Sequence, residues 1–153
     1  TFFDAMGRDE RRYLLARAVQ FFLPGVPQVY YVGLFAGVND MSLLARSRVG
    51  RDINRHYFTE GEIHSAFQRP VVRDLIELIR LRNTHPAFAG EFALGEGSDE
   101  EIVLRWNRGG DYALLQVNFA TARYRLEYSA ADGPHSRRFA SREALPLTAS
   151  TAT

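Results

Sequence analysis

Apolar and polar positions along this chain follow three successive rhythms. From Glu10, the stretch ERRYLLARAVQFFL sets Tyr13, Leu14, Ala18, Phe21 and Phe22 on one broad stripe, the signature of an amphipathic helix. Asp9 is placed to cap it and Pro24-Gly25 to stop it, so a helix is expected over residues 9 to 23. VPQVYYVG follows, a short β-branched and aromatic run with no polar alternation. Such a run predicts a strand buried on both faces of a parallel sheet; Pro27 cannot donate to a ladder, so the strand should begin at about Gln28. Between Leu34 and Phe58 the rhythm dissolves. NDMSLLARS predicts a short helix capped by Asn39 or Asp40, and VGRDINRHY an irregular loop or a single helical turn. Thr59 with Glu62 three residues on predicts a capping box and a second short helix. Pro70 suits a first helical turn, and VVRDLIELIRLRNTH then puts Val72, Leu75, Ile76 and Ile79 on one face with Arg73 and Glu77 on the other.

After Pro86 the period changes from about 3.6 to about 2. EIVLRWN, DYALLQVNF and ARYRLEYS predict strands, the first two joined by a hairpin through Arg108-Gly109-Gly110. The boundary near Ala89 and Gly90 thus separates a helix-strand-helix half from an antiparallel half, and the small polar tail from Ala144 is expected to fray. A helix, a buried strand, a long loop and a helix make one step of a parallel α/β structure. Active sites in such folds are built by the loops that leave the C-terminal strand ends, which places residues 34 to 58 on the functional rim.

Composition narrows the chemistry. The 153 residues, 46% of them hydrophobic, suffice for one ordinary core or two small ones. All 19 basic residues are Arg, set against 18 carboxylates and spread along the chain, so no clustered nucleic-acid footprint is expected. Without Lys there is no Schiff-base or phosphate-loop lysine. Without Cys there is no disulfide, thiolate nucleophile or Cys-ligated metal, which suits a reducing, cytoplasmic setting. No apolar run nears the roughly 20 residues that span a bilayer, and TFFDAMGRDERRY does not read as a signal peptide. With no initiator Met, the chain is expected to be part of something longer.

The densest chemistry lies in VGRDINRHY, where Arg51, Asp52, Arg55, His56 and Tyr57 fall within nine residues. Arg51 and Arg55, four apart, would share a helical face and could clamp an anion. The same spacing joins Asp52 to His56, an acid-base pair with no accompanying nucleophile; the alternative is a satisfied network that ties the long connection down. His56, His64, His85 and His135 lack metal-ligand spacing, so His64 on its helix, His85 before Pro86 and His135 in a turn are expected at the surface or in caps. Trp106, Tyr112, Tyr124 and Tyr128 alternate along the expected strands, as a sugar-stacking platform or as the core of a small sheet.

From FFLPGVPQVYYVGLFAGVNDMSLLARSRVGRDINRHYFTEGEIHSAFQRPVV to LIRLRNTHPAF, residues 21 to 88, the sequence resembles sucrose phosphorylases and their relatives. These belong to the α-amylase-like superfamily, glycoside hydrolase family 13. PGVPQVYYVGL and VGRDINRHY are the blocks specific to that phosphorylase subgroup. The resemblance implies an α/β fold, the last βα step of a (β/α)8 TIM barrel followed by a small antiparallel β domain. Residues 9 to 23 would be the seventh barrel helix, 27 to 33 the eighth strand, 34 to 68 the eighth loop and 70 to 85 the eighth helix. The barrel portion would cover 1–89, the β domain 90–148 and a flexible tail 149–153.

The family reaction is retaining: a carboxylate takes the glucosyl unit covalently, a second acid protonates the leaving oxygen, and phosphate releases glucose 1-phosphate. The donor would be sucrose or a related α-glucoside such as sucrose 6-phosphate or glucosylglycerate. The resemblance puts these acids, and a third that holds sugar hydroxyls, upstream of Thr1, so no catalytic residue is expected here and the chain alone would be inactive. It assigns Arg51 to the glucosyl ring of the donor subsite, paired with an Asp of the preceding half, with Asp52, Asn54 and Arg55 shaping the loop that presents it. It implies no cofactor beyond phosphate as co-substrate, no membrane or nucleic-acid partner, and a possible homodimer of the full enzyme. The other function class open at this point is a non-catalytic carbohydrate-binding β module.

Overall fold

A computed structural model describes residues 1–130 and 134–137; the tail expected at 149–153, and the stretch from Ala144 before it, lie outside the described residues. Six helices come first: α1 (Phe2–Ala5), α2 (Glu10–Phe22), α3 (Tyr31–Leu34), α4 (Met41–Ser47), α5 (Glu60–Gln68) and α6 (Pro70–Thr84). Short 3-10 turns lie at Gly50–Asn54 and Pro86–Ala89, and five strands follow: β1 (Glu91–Gly95), β2 (Glu101–Arg108), β3 (Asp111–Asn118), β4 (Arg123–Tyr128) and β5 (His135–Arg137). The strands form one antiparallel meander in sequence order. Among the described residues no helix is long and apolar enough to cross a membrane.

Local sequence accounts for most of these boundaries. The Asp9 carboxylate accepts from the first-turn N–H groups of Arg11 and Arg12 at 2.8 and 3.1 Å, which otherwise lack intrahelical partners. Thr59 and Glu62 close the capping box at the head of α5, and Pro70 opens α6. The apolar stripe of α2 is buried as its spacing requires, with Leu15 and Arg17 buried beside it. On α6, Val71, Val72, Leu75 and Leu78 are buried, and Ile76 and Ile79 pack half-buried against the same core.

Residues 27 to 33 are the exception. Segment 26–30 joins no ladder and α3 begins at Tyr31, so the expected parallel strand is absent. A strand buried on both faces needs neighbours on both sides, and the only sheet among the described residues is the antiparallel meander. Of its apolar side chains, Val26 at 88% and Tyr30 at 49% exposure are uncovered, while Val29 packs half-buried against the core. Two further strands were not foreseen. β1 is exposed along most of its length, with Leu94 at 66%, and so gives no alternation to read. β5 pairs His135 with Tyr128, where a turn was expected.

The change from helices to strands falls at Gly90, yet the two halves share one hydrophobic cluster. Tyr13, Phe22 and Leu75 belong to it together with Leu104, Leu115 and Leu126. Helix α2 packs against α6 and also crosses the inner face of β2, β3 and β4. Trp106 on β2 makes the most specific join: its indole N–H donates to the Phe22 carbonyl at 2.7 Å, a C-terminal carbonyl of α2 that has no helical partner. The Arg82 guanidinium lies 5.0 Å from the Trp106 ring and 4.7 Å from that of Phe88.

Two substitutions test this junction. A Cβ on Gly90 would lie 1.9 Å from the Asn107 carbonyl oxygen, so Gly90→Ala should lower the unfolding free energy by about 1–3 kcal/mol or more through overpacking. Trp106→Phe should cost about 1–3 kcal/mol by leaving the buried Phe22 carbonyl unpaired. Urea unfolding of the chain measures both, and wild-type stability in either variant would contradict the contact it removes.

Candidate functional site

The loop from Leu34 to Phe58 is fixed at its base by α2. The Tyr13 hydroxyl donates to the Gly33 carbonyl and accepts from Arg17 Nε–H at 3.1 Å. Arg17 is 6% exposed and its guanidinium carbon lies 4.5 Å from the Phe2 ring centroid; an aromatic face is a favourable place for a buried cation. Arg69 at the head of α6 then holds the exit of α3, donating through Nη1 to the Phe35 and Ala36 carbonyls at 3.0 and 3.3 Å and through Nη2 to Glu10 at 3.1 Å.

Further along, Asp40 does three things at once. Its carboxylate accepts from the Leu43 N–H at 2.7 Å and so caps α4, its own N–H donates to the Ile53 carbonyl at 2.8 Å, and its second oxygen lies 2.7 Å from His56 Nδ1. The other ring nitrogen of His56 lies 3.1 Å from Glu62, while the His56 carbonyl accepts from the Tyr31 hydroxyl at 3.1 Å. The loop therefore closes on itself, with both flanks of the Gly50–Asn54 turn tied back to elements on either side. Arg48, which ends α4, sits in the left-handed region at φ 56° and reverses the chain into that turn.

This network shifts three titrations in compatible directions. The hydrogen bond to Asp40, helped by Glu62, holds the His56 pKa above its ordinary value against the opposing effect of burial. Asp40 is lowered, chiefly by His56 and then by the Leu43 N–H. Glu62 is lowered by the Thr59 N–H and hydroxyl and by His56.

The residues expected at the site are placed as follows. Arg51 is exposed on the 3-10 turn, and among the described residues it makes no hydrogen bond or ion pair. Asp52, Asn54 and Arg55 are half-buried on the same turn or at its end. The four-residue spacing does not act as a helical one. A 3-10 turn aligns side chains three apart, and Arg55 leaves the turn at φ −135°, ψ 38°, so Arg51 and Arg55 are not a helical pair. For the same reason His56 meets Asp40 and Glu62 rather than Asp52. Sequence reasoning missed those two carboxylates as partners, since each showed only as a helix cap; their common proximity to an imidazole is tertiary.

Beside the network lies a cleft of about 1130 Å³ whose lining includes Phe35, Asp40, Arg46, His56, Glu62 and Arg69. Among the described residues no three His, Cys, Asp or Glu side chains are grouped to hold a metal ion. His85 caps the 3-10 turn that follows α6. Trp106 and Tyr124 are buried at 7% and 5% exposure and belong to the core, while Tyr112 and Tyr128 are half-buried, so the four do not form one exposed stacking platform.

No protein-family model matches the chain. It is 52% identical over 120 residues to a sucrose phosphorylase of Agrobacterium vitis, across 78% of this chain and 25% of that protein. It is 41% identical over 137 residues to a glucosylglycerol phosphorylase of Marinobacter adhaerens, across 90% of this chain and 28% of that protein. The structure superimposes on the crystal structure of sucrose 6F-phosphate phosphorylase from Thermoanaerobacter thermosaccharolyticum with TM-score 0.86 and 40% identity, covering 91% of this chain and 28% of that one. The chain thus spans about a quarter of the length of the curated relatives it matches, and the part matched is the C-terminal one.

Proposed function

We propose that this chain is the C-terminal part of a retaining, glucosyl-transferring disaccharide phosphorylase, and that Arg51 forms one wall of its donor-sugar subsite. The observation that supports this most directly is the contrast within one loop. Asp40, His56 and Glu62 are engaged with one another, whereas Arg51 at the crest of the turn they support is exposed and has no partner among the described residues. A rigid turn that holds out a permanently charged, planar donor is suited to grip a sugar hydroxyl and a carboxylate together. Likeness to a phosphorylase structure over most of the chain gives that carboxylate a source, the barrel half that in this reading precedes Thr1. The uncovered Val26 and Tyr30 are then apolar surface for the neighbouring barrel strands.

In this reading the chemistry divides cleanly. One carboxylate of the preceding half displaces the aglycone and becomes glucosylated, a second donates its proton to the leaving oxygen, and inorganic phosphate takes the glucosyl unit as glucose 1-phosphate. This chain contributes none of those acids. Arg51, with Asp52, Asn54 and Arg55 shaping its turn, fixes the ring that reacts. The donor is sucrose or a close α-glucoside such as sucrose 6-phosphate or glucosylglycerate. Phosphate is a co-substrate and no cofactor takes part. The enzyme acts in the cytoplasm, as a homodimer.

Arg51→Ala in the intact phosphorylase tests the assignment. Truncating one partner of a desolvated charge pair costs about 2–5 kcal/mol, and about 1.4 kcal/mol is tenfold in rate, so kcat/KM for glucose 1-phosphate formation should fall by on the order of 100-fold. Thermal stability should change little, because the side chain makes no hydrogen bond or ion pair among the described residues. Arg51→Lys should recover only part of the loss, since an ammonium lacks the two-pronged geometry. Turnover at the wild-type level in Arg51→Ala would refute the role.

A further inference from the structure

We propose that His56 is a positioning residue for Arg51: its doubly protonated ring, bound between Asp40 and Glu62, locks the Gly50–Asn54 turn in the orientation that presents the guanidinium. The inference rests on the donor-subsite reading of Arg51 above.

The geometry demands the charged ring. Both imidazole nitrogens face carboxylate oxygens, at 2.7 and 3.1 Å, and an ionised carboxylate can only accept. A neutral ring would aim one lone pair at an anion. The two carboxylates are themselves immobilised. Asp40 is held as the cap of α4 and through its N–H to Ile53, one residue before the end of the turn. Glu62 accepts from the Thr59 N–H and hydroxyl at 2.7 and 2.9 Å. The His56 backbone is held as well, by the Tyr31 hydroxyl, and its ring stands edge-on to Phe58 at 4.7 Å between centroids. One residue therefore joins α4 and α5 through its ring and α3 through its carbonyl, beside the turn that Asp40 holds at Ile53.

The charged and titratable groups around it come from every packed element. Asp40 and Arg46 belong to the α4 region, Glu62 to α5 and Tyr31 to α3, and Arg55 adjoins His56 in sequence. Arg69 lines the same cleft but is engaged with Glu10 and two carbonyls. Next to the ring, then, the two carboxylates outweigh the cations. With His56 raised above its ordinary value of about 6.5 and both carboxylates lowered below theirs, acidification breaks the clasp only below the ordinary carboxylate values. Its stabilisation is full below the unfolded histidine value and is lost as pH rises through the folded one.

The test follows glucose 1-phosphate formation by the intact phosphorylase with inorganic phosphate and whichever of sucrose, sucrose 6-phosphate, glucosylglycerol or glucosylglycerate it turns over, from about pH 5 upward. The wild type should lose kcat/KM along an alkaline limb. His56→Gln should lower kcat/KM at mildly acidic pH by up to about 100-fold, the order of loss that a 1 Å misplacement brings, and should lack that limb. Glu62→Gln keeps a capping box, which Gln also completes, but removes one anion from the ring; it should shift the limb to lower pH while Tm above the limb, where the ring is neutral, stays near that of the wild type. In an Arg51→Ala background His56→Gln should add less than about twofold, because coupled residues are not additive. Multiplicative losses, or a limb unmoved by Glu62→Gln, would overturn the positioning role while leaving the Arg51 reading intact. Unimpaired Arg51→Ala would overturn both. If His56→Gln does not fold, the Glu62→Gln limb decides alone.

Discussion

The constraint on which the rest depends is that, among the described residues, no strand pairs with the segment after α2. Backbone carbonyls outside a ladder still need donors, and here side chains supply three of them. Arg82 of α6 donates to the Gly25 carbonyl at 2.9 Å, Gln20 of α2 to that of Gln28 at 3.0 Å, and Tyr13 of α2 to that of Gly33. These bonds hold the segment in place while Val26 and Tyr30 remain uncovered. Helix α2 consequently works on two sides at once, polar tips reaching the segment and apolar residues packing on the sheet, which explains a buried Arg in an otherwise apolar helix.

The sheet serves as the other support. Its inner positions, among them Leu104, Trp106, Leu115, Val117 and Leu126, are spent on packing against α2 and its neighbours. Trp106 both fills that space and satisfies the Phe22 carbonyl. Aromatic alternation along a strand cannot distinguish a ligand platform from a core. Here the partner on the inner face is a helix, and Trp106 and Tyr124 are sealed beneath it.

On that base the loop divides its charged residues by task. Asp40, His56 and Glu62 turn inward to one another and to helix caps, and Arg69 spends its guanidinium on the loop's own carbonyls. Arg51 is left facing outward. The proposed division of labour in the phosphorylase follows from this: one cation touches the sugar because another, held between two carboxylates, keeps its turn from moving.

What the sequence determined by itself was everything that local spacing controls. The stripe of α2, the Asp9 cap, the Thr59–Glu62 box, the Pro70 start of α6 and the hairpin at Gly109 all depend on residues a few positions apart, and all were legible. The likeness to sucrose phosphorylases was legible too, because its blocks are contiguous. Only the tertiary structure decided the remainder. VPQVYYVG has strand composition, but a strand exists only where a neighbour offers a ladder. β1 lacks a buried face and therefore a pattern. Asp52 stands four residues from His56 in sequence, yet the partners of that ring come from 16 and 6 residues away, since a tight 3-10 turn sends the chain past Asp52 and the caps of α4 and α5 bring their own carboxylates to the same place.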